Sequence, residues 1–259
     1  MAAAHPPADL PLGQFDPDPI GMVDPRRHQG RAKLTERVVI CFFDEVVREV
    51  VGDRPPDYQL KWEHGRHGVW AIQWQGQPLT VCHPGCTAPL AAANLDVLIH
   101  MGCTKVMVCG GAGTVAAGFD MGHAVLVTDA LRDEGTSYHY LPADHGPTVA
   151  ASPQAIDALQ AELVERGVPF ERGRTWTTDA IFRETASKVA RRRAEGCLTV
   201  DMEASALFAV AAFRGATIGQ LLYCGDDLST SAWDHRGWNL DTSVRRRIFD
   251  IAAAAVARL

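Results

Sequence analysis

A chain of 259 residues that is 47% hydrophobic and 22% charged has the apolar content for one globular domain with a sizeable core. Its net charge of -6 comes without a long basic run, which argues against nucleic-acid partners, since backbone binding needs clustered Lys and Arg. No apolar run approaches the roughly 20 residues that cross a bilayer, and Met1 to Pro7 has no basic stretch followed by an apolar one. Neither a membrane partner nor a secretory leader is expected, and the expected compartment is the cytoplasm.

In chain order, residues 1–36 hold six of the fifteen prolines and show no hydrophobic period, so they read as an arm draped over the surface or over a partner subunit. The folded domain is expected over 37–259. It begins with a strand at 38–42, followed by a hairpin of 69–73 and 79–82 around Gln75-Gly76-Gln77. A helix at 88–100 follows, with apolar spacing at Leu90, Ala93, Leu95 and Leu98. Strands at 105–109 and 123–131, a helix at 156–164 and a polar helix at 184–195 come next. A strand at 198–201, a helix from Ala204, a strand at 218–224 and a last helix at 243–259 complete the pattern. This alternation calls for a single α/β domain around a mostly parallel or mixed sheet. The triple-arginine runs Arg191-Arg192-Arg193 and Arg245-Arg246-Arg247 read as solvated helix faces. The seven cysteines form no CxxC pair and mostly occupy apolar segments, so they read as reduced core thiols. Cys82 and Cys86 give only a weak zinc spacing, and no metal is expected.

In such folds ligands gather beyond the carboxyl ends of strands, and the residues at those ends are unusual for their setting. Asp44 and Glu45 follow the first strand, His83 the third, Gly110-Gly111-Ala112-Gly113 the fourth, and Asp226-Asp227 the last. Asp201 and Glu203 flank Met202 where an apolar strand meets an apolar helix. Buried carboxylates are costly unless paired, so these two either meet a polyhydroxy ligand or start the helix, one as cap and one on its dipole. Gly110 to Gly113 lacks the GxGxxG spacing of a dinucleotide site, and neither a Walker loop nor a GxSxG elbow occurs.

The order of these pieces resembles the nucleoside phosphorylase superfamily of purine nucleoside phosphorylases, uridine phosphorylases and methylthioadenosine/S-adenosylhomocysteine nucleosidases. The resemblance covers about 37–259. It rests on the glycine turn Gly110-Gly111-Ala112-Gly113, the segment Arg132-Asp133-Glu134-Gly135-Thr136-Ser137-Tyr138-His139-Tyr140, the run Thr178-Asp179-Ala180-Ile181-Phe182, the motif Val200-Asp201-Met202-Glu203-Ala204-Ser205, and Gly225-Asp226. It implies a central mixed β-sheet flanked by helices, a small-molecule nucleoside as ligand, and a homodimer or a trimer of dimers.

The resemblance also implies roles. Met202 and Glu203 fall on the ribose-binding pair, Asp226 on the acid that protonates a leaving purine, and Ile181 and Phe182 on the base-contacting stretch. Asp201 stands where many members have glutamate, and Thr185 and Ser187 replace the Gln and Arg of uridine phosphorylases. Where phosphorylases carry phosphate-binding arginines this chain has Cys41-Phe42-Phe43-Asp44-Glu45 and Val108. Glu45 aligns with the glutamate that activates water in the nucleosidases; the other reading is a solvated acid at a helix start. The expected function is therefore N-glycosidic cleavage of a nucleoside, leaning to hydrolysis and without a cofactor. The alternatives are a phosphorylase that uses inorganic phosphate at a site rebuilt from Arg132, His83 or a partner's arginine, and a nucleoside-binding protein without turnover. Asp227 is the acid if the register slips by one. The loop Trp233-Asp234-His235-Arg236-Gly237-Trp238-Asn239 reads as packing that caps the last helix, or else as a lid.

Overall fold

In the computed structural model, which describes residues 10–259, ten strands form one mixed sheet. The elements in chain order are β1 (Arg37–Cys41), α1 (Asp44–Val51), β2 (Tyr58–Trp62), β3 (Gly65–Trp74), β4 (Gln77–Cys82), α2 (Ala88–His100), β5 (Lys105–Thr114) and β6 (Ala124–Asp133). They continue with β7 (Thr148–Ala150), α3 (Pro153–Glu165), β8 (Phe170–Thr178), α4 (Ala186–Ala194), β9 (Cys197–Asp201), α5 (Ala204–Arg214), β10 (Thr217–Asp227) and α6 (Thr242–Ala257). The strand order is β10-β6-β8-β9-β5-β1-β4-β3-β2, and β10 also pairs with β5. Five strands thus close into a ring, and the remaining main strands extend from it as an open wing.

The apolar runs explain the centre. Val38, Val39 and Ile40 of β1, Val106 to Cys109 of β5 and Leu221 of β10 are all 0% exposed. Strands covered on both faces read as continuous hydrophobic runs rather than alternations. α2 and α5 pack together on one side, and α3 and α6 on the other. From Ala204 to Ala211 every residue of α5 is buried, so this helix is apolar all round and belongs to the core. It ends at Gly215, whose φ of 71° supplies the left-handed cap. The hairpin of β3 and β4 turns on Gln75 and Gly76, with φ of 48° and 80°, which is the two-residue geometry that matches strand twist.

Two elements lie outside the expected pattern. α1 is short, with Val46, Val47 and Val51 buried on one face. β8 is held by threonines, and Thr199 Oγ1 donates to Thr175 Oγ1 at 3.0 Å across to β9. The glycine turn expected after Cys109 is a strand instead. β5 continues to Thr114 because β10 keeps pairing with it, Cys224 opposite Ala112 and Asp227 opposite Thr114.

The part of the arm from residue 10 onward lies on its own body. Phe15 meets Phe213 edge-on at 6.4 Å, and Arg214 Nη1 donates to the Pro19 carbonyl at 2.7 Å. The first nine residues of the expected arm lie outside the described residues. The same Arg214 grips the buried Asp96 of α2 through Nε (2.9 Å) and Nη2 (3.0 Å), and Tyr140 Oη donates to Asp96 Oδ2 at 3.1 Å. Arg214→Met is expected to cost about 3–5 kcal/mol, because the buried Asp96 carboxylate loses its two guanidinium bonds and keeps only Tyr140 and His100, each 3.1 Å away; urea denaturation would measure it.

Candidate active site

β1, β4, β5 and β10 run parallel, so their carboxyl ends share one side of the sheet. A cavity of about 260 Å³ opens there. Phe42 and Phe43 enter it after β1, Cys86 after β4, the glycine run from β5, and Asp226 from β10; Asp201, Met202 and Glu203 reach it from the end of β9. The glycines act as strand residues without side chains. A Cβ on Gly113 would sit 2.7 Å from Leu228 Cδ1 and 2.9 Å from Val200 Cγ1, and one on Gly111 would meet the Tyr223 ring at 3.0 Å. Any larger residue would displace its neighbours, so glycine is what lets this strand form the wall.

Met202 and Glu203 both line the cavity. Glu203 is 9% exposed, and its Oε1 accepts the backbone N–H of Thr87 at 2.6 Å. Thr87 holds φ at 84°, a region costly for a branched residue, and its N–H points at the carboxylate. Burial raises Glu203 to about 7, and burial together with the charge of Glu203 raises Asp201 to about 8.

At another side of the cavity a 3-10 turn, Ile181–Arg183, follows β8. Residues three apart are eclipsed in this geometry, so Ile181 and Glu184 both line the cavity. Phe182 turns away and is 94% exposed. Of the two expected base contacts, the structure brings Ile181 to the cavity and directs Phe182 to solvent. Glu184 is the acid that the sequence pattern assigns to a polar helix; the eclipsed spacing from Ile181 is the signal for it. Burial and the nearby Asp226 charge raise it to about 7.

A carboxyl with a raised folded pKa ionises first in the unfolded chain, so its stabilising contribution fades as pH rises toward 7. Glu184→Gln removes that penalty, and its stability relative to the native protein is expected to increase between about pH 5 and 8, as thermal melts across that range would show.

Asp226 lines the cavity, and its Oδ2 accepts the Trp233 indole N–H at 2.6 Å. Asp227 points elsewhere. It accepts from Ser229 N at 2.7 Å and pairs with Arg236, while its backbone bridges to Asp234. Burial would raise its carboxyl, yet the Ser229 and Arg236 contacts hold it below the usual range. Its carboxylate is thus spent on the loop. That loop also sends Trp238 into the cavity wall, where Tyr223 Oη donates to the Trp238 carbonyl at 2.9 Å. Trp238 is a packed wall, whereas Trp233, 62% exposed, lies over the acid.

The cation of the site is Arg245. Three consecutive arginines on a helix point about 100° apart, so they cannot all be solvated on an amphipathic α6. Arg246 pairs with Glu49 and Asp250, whereas Arg245 is 9% exposed and lines the cavity between Phe43 and Trp238, each ring centre 5.3 Å from its guanidinium. Its Nη1 donates to Glu45 Oε1 at 2.6 Å and its Nε to Tyr223 Oη at 3.2 Å. Glu45, on the first turn of α1, therefore stands one residue behind the cavity wall. Arg132 is not an anion donor: it donates to the Leu141, Pro142 and Gly146 carbonyls and to Ser137 Oγ. His83 is outside the lining, its Nδ1 accepting from Gly85 N at 3.0 Å. Cys82 is buried and Cys86 exposed. Among the described residues no three His, Cys, Asp or Glu side chains converge to hold a metal, and no helix is long and apolar enough to cross a membrane.

The family model described as the phosphorylase superfamily matches residues 36–257. The chain belongs to that superfamily. It is 25% identical over 206 residues to the guanosine phosphorylase of Halorubrum lacusprofundi, covering 80% of this chain and 84% of that one. It is also 25% identical over 166 residues to the uridine phosphorylase of Haemophilus influenzae, covering 59% of this chain and 65% of that one. Among solved structures, uridine phosphorylase from Vibrio fischeri ES114 superposes with a TM-score of 0.72 at 21% identity, covering 88% and 94% of the two chains. AMP nucleosidase from Bacteroides thetaiotaomicron VPI-5482 gives 0.68 at 19% identity, covering 86% and 88%. At those identities the two structures establish the fold, the mixed sheet flanked by helices. With this family membership the chain is an enzyme, a nucleoside phosphorylase or nucleosidase, acting on the bond between base and sugar.

Proposed function

We propose that this enzyme hydrolyses the N-glycosidic bond of a purine ribonucleoside. The observation that carries the choice of water is the Arg245–Glu45 pair: among the described residues the one guanidinium lining the cavity is already held by a carboxylate at 2.6 Å. Four further acids, Glu184, Asp201, Glu203 and Asp226, share the same walls. A phosphate dianion needs free cationic donors, and this surface offers it one guanidinium that is already engaged.

In the reaction, Met202 and Glu203 hold the ribose. Asp226 gives a proton to the base as the C–N bond breaks and positive charge develops on the sugar. Water adds to the anomeric carbon, and its proton passes to Glu45, whose second oxygen is free of Arg245. The products are free base and ribose, and no cofactor takes part. The purine assignment is supported by Asp226 and Glu184 together, a proton donor and a second carboxyl at one end of the cavity, and by the likeness to a guanosine phosphorylase. A cytoplasmic homodimer or trimer of dimers, with 1–36 as an arm and 37–259 as the catalytic domain, fits the family and the exposed Ile181 and Phe182 beside the site.

Phosphorolysis is the second reading, favoured by Arg245 itself, which becomes an anion donor if it exchanges Glu45 for phosphate. Purified protein incubated with purine and pyrimidine nucleosides, with and without phosphate, separates the two by product mass. Free ribose without phosphate supports hydrolysis, ribose 1-phosphate formed only with phosphate replaces it, and bound nucleoside without cleavage points to a binding protein. Glu45→Gln is expected to slow hydrolysis by about 10²- to 10⁴-fold, the usual worth of a general base. An unchanged rate removes Glu45 from the mechanism.

A further inference from the structure

The turn that carries the Thr87 N–H to Glu203 is gripped from behind by a residue outside the cavity. This turn, 83–87, links β4 to α2; Pro84 and Gly85 are buried in it, and Cys86 lines the cavity. Thr87 keeps its φ of 84° without a hydrogen bond from its own side chain into the helix. A branched residue holds such a conformation only where its surroundings over-determine it. Here Thr87 N donates to Glu203 Oε1 at 2.6 Å, Gly85 N donates to His83 Nδ1 at 3.0 Å, and the Pro84 carbonyl accepts from Asn94 Nδ2 at 2.6 Å. The first bond ends on the functional carboxylate and the second is local. The third ties the turn to the body of α2.

Asn94 lies in the second turn of α2 and is 0% exposed, beside the equally buried Ala91, Leu95 and Leu98. An amide in such a place is costly unless its hydrogen bonds are made, and here they also set its orientation. Asn94 Oδ1 accepts the Trp62 indole N–H at 2.8 Å, which leaves the NH₂ to face Pro84. Trp62 ends β2, the strand at the open edge of the sheet, and is 41% exposed. We propose that Asn94 is a positioning residue for the sugar site: oriented by Trp62, it fixes the 83–87 turn through the Pro84 carbonyl and so aims the Thr87 N–H at Glu203. That N–H favours the Glu203 carboxylate against the burial that raises it to about 7, so a loosened turn moves Glu203 further up. The other titratable groups around Glu203 are Asp201 at the end of β9 and Cys86 in the turn, with Glu184, Asp226 and Arg245 on the remaining walls. Asn94 is bonded to Trp62 and Pro84 and to none of these.

This inference rests on the proposed role of Glu203 in holding the ribose, and titration of Glu203 tests it separately from turnover. NMR of protein labelled with carbon-13 at the glutamate carboxyls follows that titration, the Glu203 signal being assigned by its loss in Glu203→Gln. The variants are Asn94→Leu and the milder Trp62→Phe at the sheet edge, which carries the test if Asn94→Leu does not fold; circular dichroism checks both. The Glu203 midpoint is expected to rise by about one pH unit in Asn94→Leu and by less, in the same direction, in Trp62→Phe. For guanosine, kcat/KM of Asn94→Leu is expected to fall about tenfold below neutrality and to return toward the native value by about pH 9, where the carboxylate has filled in. An unmoved midpoint in the folded variants overturns the proposal. So does an activity loss of one size at every pH, which marks Asn94 as structural. A raised midpoint in a protein that cleaves no nucleoside sinks the proposed reaction and leaves the positioning of Glu203 standing; native cleavage with an unmoved midpoint does the reverse.

Discussion

Glu203→Gln is expected to lower kcat/KM for purine ribonucleosides by about 10- to 150-fold with the fold intact, the equivalent of one charge-assisted hydrogen bond worth ~1.5–3 kcal/mol. The amide oxygen of glutamine still accepts from the strained Thr87 N–H, now 2.6 Å from Glu203 Oε1, so the local backbone has no reason to move. What changes is the group turned to the sugar, an N–H₂ in place of a carboxylate. The pH profile separates this from a general loss of packing. Burial holds Glu203 at about 7, so the carboxylate form, the better hydroxyl acceptor, fills in as pH rises through neutrality. Native kcat/KM is expected to rise over that interval, and the variant should lose the rise attributable to this group. A variant with native activity and the native profile would remove Glu203 from the sugar site.

The layered α/β architecture was legible because its central strands are continuous apolar runs and its core helices are apolar at helical spacing or throughout. β1, β5, β10 and α5 are all found within a few residues of where the pattern puts them. What stayed hidden has a common cause. β8 mixes charged residues with Thr175, Thr177 and Thr178, of which Thr175 accepts from Thr199 of β9, and its polar composition carries no strand signal. The glycine run after Cys109 looks like a turn because local propensity says so, whereas pairing with β10 keeps it extended. In the site, acids at strand ends were visible because a carboxylate is out of place in an apolar context. Arg245 and Glu184 sit in polar helix and turn sequence where a charged residue is ordinary, and Gln220 is a single neutral polar residue inside the apolar run of β10. Only the rotation of α6, the eclipsed spacing of the 3-10 turn and the facing of β10 turn them into the cavity.

Asp226→Asn is expected to slow cleavage of purine nucleosides by about 10²- to 10⁴-fold while leaving 4-nitrophenyl riboside, whose leaving group departs as a stable anion, close to the native rate. The substitution is well isolated. Trp233 donates its indole N–H to Asp226 Oδ2 at 2.6 Å, and an asparagine oxygen can accept it equally, so the loop over the acid keeps its anchor. Asp227 cannot step in, because Ser229 and Arg236 occupy its carboxylate. Glu184, whose proton affinity the Asp226 charge itself sets, is the neighbour placed to carry a proton: burial and that charge hold it at about 7, and removal of the charge lowers its proton affinity. Residual purine cleavage in Asp226→Asn is therefore expected to fall further as pH rises toward and past neutrality, and the double substitution with Glu184→Gln should abolish that dependence. Equal loss on both substrates would mean that Asp226 shapes the cavity and gives no proton. Native turnover of the purine would pass the acid's role to Glu184, a carboxyl at that end of the cavity raised to about 7.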